Sequence, residues 1–127
     1  MKFEHLALNV PDASAMAEWY VAHCGMEIVM KVAEAPYTCF LADETGRTVL
    51  EIYSHEGAPI PNYGVQHPLC LHVAFAVQDA GITRDRLLAA GASLLSDQQA
   101  DNGTHLVMLR DPWGIALQLC QRTTPLP

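Results

Sequence analysis

The sequence predicts an α+β fold in which two tandem βαβββ modules form a curved mixed sheet. Two alignments within the chain support this prediction. The segment FEHLALNVPDA, residues 3–13, aligns with CLHVAFAVQDA, residues 70–80, at an offset of 67, and five of the eleven positions are identical. LEIY, residues 50–53, aligns with LQLC, residues 117–120, at the same offset. A repeat of this length predicts two similar structural units.

Each repeat begins with a strand-like segment that leads into a helix signal. In the first repeat, Asp12 or Ser14 can cap a helix over residues 13–24, and Gly25 can end it. A second helix is expected between Asp79 as its cap and Gly91 as its end. Three β-rich runs follow each helix, namely MEIVMKV, TCFLAD and TVLEIYS, then ASLLS, HLVML and IALQLC. The dipeptide TG and the tetrapeptide DPWG are turn signals before the last strand of each repeat.

The length of 127 residues fits one globular domain. We expect a single domain over 1–127, with module one at about 1–54 and module two at about 69–122. The segment between them, about 55–68, holds three prolines and two glycines, a composition typical of a linker. A short C-terminal tail, 123–127, completes the chain.

Charge and hydropathy exclude several classes of partner. Fourteen acidic against seven basic residues give a net charge of −7, so nucleic acid is not expected as a partner. The first ten residues lack the apolar run of a signal peptide, and no window approaches the roughly 20 apolar residues of a membrane span. We therefore expect a cytoplasmic protein. The four cysteines form no CxxC pair, and we expect buried free thiols.

Side-chain alternation along the strands predicts which residues share a face. His5 lies on the small-residue side of its strand, opposite Leu6 and Leu8, and Glu51 lies opposite Leu50 and Ile52. The second repeat places His72 and Gln118 in the matching positions, because both pairs are separated by 46 residues. Bulky aliphatic faces suit packing under the helices, whereas polar groups among small neighbours suit a cavity.

Two imidazoles, one carboxylate and one amide oxygen are a plausible ligand set for a metal ion. A lone His or Glu in a strand is more often structural, but duplicated spacing on the predicted inward faces favours a metal-binding cup. A cation also compensates a buried carboxylate. We expect one divalent metal ion per site, Zn, Ni, Co, Mn or Fe(II), with His5, Glu51, His72 and Gln118 as ligands.

These residues resemble the vicinal oxygen chelate superfamily, which includes glyoxalase I, methylmalonyl-CoA epimerase, bleomycin-resistance proteins and extradiol dioxygenases. The segments FEHLALNVPD, YVAHCGMEIV, VLEIY, LCLHVAFAVQD, LLAAGA and RDPWGIALQL carry the resemblance, and the D-P-x-G turn is the most specific of them. The resemblance implies paired βαβββ modules, a homodimer and a metal held by four strands. Bacterial glyoxalase I uses His, Glu, His and Glu, so Gln118 departs from that set.

The resemblance implies a metal-dependent enzyme that acts on a small oxygen-bearing substrate, a carbonyl or hydroxy compound that chelates the metal. The expected reaction is of the lyase or isomerase type, with Glu51 as the candidate base. A two-base epimerase is disfavoured because Gln118 cannot accept a proton. Glutathione dependence is disfavoured because Asn9 stands where the bacterial enzymes carry an Arg.

Two alternatives remain open at this stage. The first is a ligand- or antibiotic-sequestering protein of the bleomycin-resistance type, which performs no chemistry. The second is an Fe(II) extradiol-type dioxygenase that uses His5, His72 and Glu51 as a two-His-one-carboxylate site.

Overall fold

The computed structural model describes residues 1–126, so Pro127 of the predicted tail lies outside the described part of the chain. The chain divides into two compact units, Met1–Pro61 and a second unit that begins at Asn62. Each unit has the element order βαβββ and holds one helix and one open four-stranded sheet. The predicted α+β fold of two tandem βαβββ modules is confirmed.

The first unit contains four strands around one helix. Its elements are β1 Leu6–Asn9, α1 Ala13–Cys24, β2 Glu27–Lys31, β3 Cys39–Ala42 and β4 Thr48–Tyr53. The strands lie in the order β1-β4-β3-β2. β1 is parallel to β4, and the other two pairs are antiparallel, so the sheet is mixed.

The second unit repeats this arrangement. Its elements are β5 Val73–Ala76, α2 Ala80–Ala89, β6 Ser93–Gln99, β7 His105–Arg110 and β8 Ala116–Gln121. The order β5-β8-β7-β6 and the single parallel pair, β5 with β8, match the first unit. A short 3-10 turn over Tyr63–Val65 precedes β5.

Strand register shows that the two units are built alike at the level of single residues. Ala7 pairs with Glu51 in the first unit, and Ala74 pairs with Gln118 in the second. Ala74 and Gln118 lie 67 positions after Ala7 and Glu51, respectively. The repeat found in the sequence is therefore a repeat of backbone pairing.

Two side chains at equivalent positions of the repeat cap the first turn of each helix. Asp12 Oδ1 accepts a hydrogen bond from Ala15 N at 2.9 Å, and Ser54 Oγ accepts one from Ala13 N at 2.9 Å. In the second unit the acceptors are Asp79 Oδ1 for Ile82 N and Gln121 Oε1 for Ala80 N. Amides of the first helical turn lack partners within the helix, so each cap satisfies one of them.

The helix ends differ slightly between the units. Gly25 caps α1 in the left-handed region at φ 68°, as predicted. Ala90 caps α2 instead of the predicted Gly91, which follows one residue later at φ 98°. The left-handed residue that Gly91 supplies therefore lies just beyond the end of the helix.

Alternation of side chains separates a buried face from a partly exposed face in each sheet. In the first unit Leu8, Cys39, Leu41, Leu50 and Ile52 are at most 2% exposed. Val107, Leu109, Leu117 and Leu119 form the corresponding buried set in the second unit. Burial of one such aliphatic side chain contributes about 1.5–3 kcal/mol. The faces expected to pack under the helices are therefore the buried ones, apart from Leu6, which is exposed, and Val73 and Phe75, which are half-buried.

The four cysteines, all within residues 1–126, form no disulfide, but they are not all buried, so the expectation of buried thiols is correct in part. Cys39 and Cys120 are buried, and burial raises the pKa of the Cys39 thiol. Cys24 is half-buried and Cys70 is exposed. Cys70 lies in the turn before β5, where its amide donates to His67 O at 2.9 Å.

The DPWG segment forms a tight turn between β7 and β8. Asp111 is 4% exposed, and its Oδ1 accepts hydrogen bonds from Trp113 N and Ile115 N, both at 2.9 Å. Gly114 has φ 88°, and a Cβ there would lie 2.7 Å from Gly64 N. Only glycine fits this position, because both the backbone angle and the close approach exclude a side chain.

Along residues 1–126, every helix is too short or too polar to cross a membrane.

A charged cluster links α2, β6 and β7 in the second unit. Asp97 Oδ1 lies 2.6 Å from Nε2 of His105, and its Oδ2 accepts from Arg84 Nη1. His105 is 8% exposed, and Arg84 also bonds to Asp85. The hydrogen bond from His105 and the one from Arg84 lower the pKa of the Asp97 carboxyl. Asp97 therefore stabilises the fold as a carboxylate.

We expect Asp97→Asn to lower the free energy of unfolding at neutral pH by roughly 0.5–1 kcal/mol, the upper range for ion pairs near a surface. Because folding lowers the pKa of the Asp97 carboxyl, the extra stability of wild type over Asp97→Asn is present above the ordinary pKa of aspartate. It is lost as the pH falls through the folded-state value. Urea unfolding at several pH values measures this, with Asp85→Asn as the control. Equal effects of the two variants at pH 7 would contradict the prediction.

Asn9 at the end of β1 fastens the loop that follows β4. Its Nδ2 donates to His55 O and to Ala58 O, both at 3.1 Å, and its Oδ1 accepts from His55 N at 2.8 Å. The residue is 8% exposed. Both ends of the Asn9 amide are thus engaged by the backbone of the loop.

We expect Asn9→Ala to lower the free energy of unfolding by about 2 kcal/mol, because partly buried backbone groups would lose their partners. Asn102→Ala is the control, since Asn102 makes a single local bond in an exposed turn, to Thr104 N. Thermal and urea unfolding measure both variants. A loss at Asn9 no larger than that at Asn102 would show that the loop does not depend on this clamp.

Candidate functional site

The first predicted pair of ligands lies together in the first unit. His5 directly precedes β1, and Glu51 lies in β4 opposite Ala7. His5 Nε2 is 3.0 Å from Glu51 Oε2, and the two side chains are 25% and 19% exposed. Parity along the two parallel strands, as predicted, brings these side chains into direct contact.

An aromatic ring borders this pair. Phe40 is the cross-strand neighbour of Glu51 on β3, and its ring centroid lies 5.5 Å from that of His5 in a T-shaped arrangement. The neighbour of Glu51 on its other side is Ala7, a small residue. An apolar wall beside a partly buried carboxylate reduces solvation, which strengthens the interaction of Glu51 with a positive group.

The second ring nitrogen of His5 lacks a hydrogen-bond partner within residues 1–126, although it is buried. Glu4 Oε2 lies 3.1 Å from Nδ1, near enough for ion pairing with a protonated ring but without hydrogen-bond alignment. Unsatisfied buried polar atoms are uncommon in folded proteins, and a bound ion is one of their explanations. His5 thus presents one ring nitrogen to Glu51 and the other to Glu4.

The second pair of predicted ligands makes different contacts. His72 precedes β5, and its Nδ1 lies 3.0 Å from Pro68 O. A carbonyl oxygen can only accept, so Nδ1 is the donor in this contact, and in a neutral ring the lone pair is then on Nε2. A backbone carbonyl commonly orients a metal-binding imidazole in this way. The His72 ring therefore has Nε2 available as a donor to a cation.

Gln118 lies in β8 and is partly exposed, in the register position that Glu51 occupies in the first unit. Its Oε1 accepts a hydrogen bond from Cys120 Sγ at 3.4 Å. Cys120 was assigned no function from the sequence, although alternation already places it on the face of Gln118. Pro68 and Phe40 were also missed, because their contacts depend on the turn before β5 and on pairing between β3 and β4.

Within either unit, over residues 1–126, no three His, Cys, Asp or Glu side chains are grouped so that they could hold a metal ion. The repeat assigned two ligands to each module, and one of the four is Gln118, an amide. What each unit supplies is two candidate donors at equivalent positions. Nitrogen and oxygen donors of this kind suit borderline divalent cations.

A cleft of about 700 Å³ lies in the first unit beyond the ends of β1 and β4. It is lined by Pro11, Asp12, Ala13, Ser14, Tyr37, Ser54, His55, Glu56, Ala58 and Ile60. His5 and Glu51 are not among these residues. The lining of the cleft includes the carboxylates of Asp12 and Glu56, and Asn9 holds its 55–58 loop.

Two named proteins are similar to this chain over most of its length. A "Probable lactoylglutathione lyase" of Vibrio cholerae is 28% identical over 124 residues, which cover 92% of this chain and 88% of that protein. An "Ethylmalonyl-CoA/methylmalonyl-CoA epimerase" of Cereibacter sphaeroides is 28% identical over 109 residues, 82% of this chain and 81% of that protein.

Among solved structures, a glyoxalase-related enzyme from Fulvimarina pelagi superposes with a TM-score of 0.73 at 19% identity. The superposition covers 100% of this chain and 93% of that one, and it shows a shared fold. The sequence pattern of the Glyoxalase/Bleomycin resistance protein/Dioxygenase superfamily matches residues 2–119. Fold, internal repeat and sequence match agree, and the chain belongs to the Glyoxalase/Bleomycin resistance protein/Dioxygenase superfamily.

Proposed function

We propose that this chain is a metal-dependent enzyme of the lyase or isomerase type that acts on a small carbonyl or hydroxy compound. Its ligands are His5, Glu51, His72 and Gln118, which bind one divalent ion, Zn, Ni, Co, Mn or Fe(II). The observation that carries the proposal is the contact between His5 Nε2 and Glu51 Oε2 at 3.0 Å, beside an unsatisfied buried Nδ1. The names of its two relatives, a lyase and an epimerase, support the reaction class.

The chemistry of the ligand set favours a substrate that carries negative charge during the reaction. When bound, a divalent cation stabilises an anionic oxygen and polarises a carbonyl. One carboxylate among four ligands leaves a net positive charge near the site. Glu51 and Phe40 lie on neighbouring strands, so the carboxylate has an apolar neighbour that limits competing water.

Glu51 is the proposed base, because it is the one ligand that can accept a proton next to a carbonyl. Gln118 occupies the equivalent position in β8 and cannot do so. One base acting from one side favours proton transfer on a single face of the substrate over exchange between two faces. Asn9, whose amide is held by the 55–58 loop, argues for a substrate other than a glutathione adduct.

The proposal includes a homodimer in the cytoplasm and a small-molecule substrate as the physiological partner. Superfamily members often dimerise and bind small molecules, which supports both points. Size-exclusion chromatography with light scattering tests the homodimer, and the mass of a single chain would contradict it.

We expect chelator-treated protein to regain close to one divalent ion per chain on dialysis against Zn, Ni, Co, Mn or Fe(II), measured by elemental analysis. His5→Ala and His72→Ala should each weaken binding at least tenfold, because each removes one donor. His23→Gln is the control, since His23 lies on α1 against Trp19. Failure of wild type to bind any of the five metals would refute the metalloenzyme and favour a sequestering protein.

We expect metal-loaded wild type to catalyse exchange of the proton next to the carbonyl of α-hydroxy or α-keto test compounds, followed by NMR in deuterated water. Glu51→Gln should lower the rate by roughly 10²–10⁴-fold, the usual contribution of a general base. Gln118→Glu, the matched variant from the other unit, should keep the exchange. A Glu51→Gln protein that binds the metal and exchanges the proton at the rate of wild type would refute Glu51 as the base.

The metal-loaded proteins also distinguish the proposed enzyme from an Fe(II) extradiol-type dioxygenase. An Fe(II) dioxygenase would consume oxygen with catechols and would need His5, His72 and Glu51, whereas exchange with Zn or Ni needs no oxygen. Oxygen uptake without any proton exchange would replace the proposed reaction by the oxidative one.

A further inference from the structure

The His5 ring lies between two carboxylates. Its Nε2 is 3.0 Å from Glu51 Oε2, and its Nδ1 is 3.1 Å from Glu4 Oε2. Nδ1 is buried and has no hydrogen-bond partner within residues 1–126. A buried ring nitrogen that carries a proton needs an acceptor, because an unsatisfied donor is costly. Glu4 Oε2 is an acceptor within hydrogen-bond distance of this atom.

The contact between Glu4 and Nδ1 becomes a hydrogen bond when the carboxylate turns. The distance is already short enough, and only the alignment is missing. The Glu4 side chain is 83% exposed, so solvent rather than packing surrounds most of it. The terminal torsion of a glutamate side chain is also broad. A rotation of the carboxylate can therefore bring an oxygen into line with the Nδ1–H bond.

The second unit orients its histidine with a different oxygen. Nδ1 of His72 lies 3.0 Å from Pro68 O, the backbone carbonyl four residues earlier. The residue equivalent to Glu4 is Leu71, whose side chain has no acceptor. Both units thus place an oxygen beside Nδ1, by a carboxylate in the first unit and by a carbonyl in the second.

An acceptor beside Nδ1 decides which nitrogen of a neutral imidazole has the lone pair. With the proton on Nδ1, the lone pair is on Nε2, and only that nitrogen can bind a cation. In His5, Nε2 is the nitrogen that faces the Glu51 carboxylate. Metal-binding histidines commonly donate their other ring N–H to a carboxylate or a backbone carbonyl, which fixes the tautomer and the ring orientation.

We propose that Glu4 is a positioning residue that holds the His5 ring with its proton on Nδ1, so that Nε2 binds the cation together with Glu51. The inference rests on the proposed function, since it concerns one ligand of the proposed metal site. Glu4 itself contacts neither the metal nor the substrate. It gives the first unit, through a side chain, what the carbonyl of Pro68 gives the second.

The test measures the Co²⁺ affinity of the full chain by absorption titration and compares Glu4→Ala, Glu4→Gln and Glu44→Ala with wild type. Loss of an orienting partner of a metal ligand typically costs 10–100-fold in affinity, so Glu4→Ala should fall in that range. Glu4→Gln should lose less, because the amide oxygen still accepts the Nδ1 proton. Glu44→Ala removes a carboxylate from the exposed turn between β3 and β4 and should match wild type.

Two results of this titration would overturn the proposal. One is a Glu4→Ala protein with the affinity of wild type. The other is an equal loss in Glu4→Ala and Glu4→Gln, because charge alone would then explain the effect.

A second background shows whether Glu4 acts through His5. In His5→Ala the ring is absent, so adding Glu4→Ala should change the remaining Co²⁺ affinity little. The same loss in both backgrounds would refute the positioning role. In the Zn²⁺-loaded wild type, ¹⁵N NMR of the His5 ring should find the proton on Nδ1, and a proton on Nε2 would also refute it.

Failure of the proposed function gives a different result. If wild type binds no Co²⁺, the metal site itself is wrong and Glu4 has no ligand to orient. If wild type binds Co²⁺ and Glu4→Ala binds it equally well, the metal site stands and only the positioning role is refuted. Glu4→Gln, which preserves the size of the side chain, also serves where the alanine variant fails to fold.

Discussion

The parallel pairing of the first and last strand of each unit is the constraint on which the rest of the structure depends. β1 pairs with β4 and β5 pairs with β8 in the same register. A parallel pair needs a long connection between its strands, and the intervening helix and two strands supply it in both units. The pairing also brings the end of each last strand, Ser54 just after β4 and Gln121 at the end of β8, to the first amide of the helix.

This pairing fixes the geometry of the candidate site as well as the fold. Ala7 opposite Glu51 places the His5 ring, two residues earlier on the same face, against the carboxylate. Shifting the register by one residue would turn Glu51 toward the core that contains Leu50 and Ile52. Because the aliphatic faces are buried, the register that buries them also presents the polar residues on the other side.

The two units share the same strand pairing but differ in the side chains at their candidate ligand positions. The first holds His5 against Glu51, a carboxylate that can accept a proton. The second holds Gln118 beside Cys120 and His72 against Pro68 O, which gives donors for a cation without a base. The two halves of the repeat therefore differ at this position, where a carboxylate in β4 corresponds to an amide in β8.

The sequence alone determined the order of elements, the repeat and the polar faces, because periodicity, caps and turn residues are local signals. Asp79 and Gly25 could be assigned from their neighbours alone, whereas the choice between Asp12 and Ser14 as the cap of α1 came from the bond between Asp12 Oδ1 and Ala15 N. Only the tertiary structure decided that the Asn9 amide binds the 55–58 loop, that Cys70 is exposed and that Ala90 caps α2. It also decided that Cys120 reaches Gln118 and that Pro68 sets the tautomer of His72. These features depend on loop paths and side-chain rotamers, which no periodic pattern encodes.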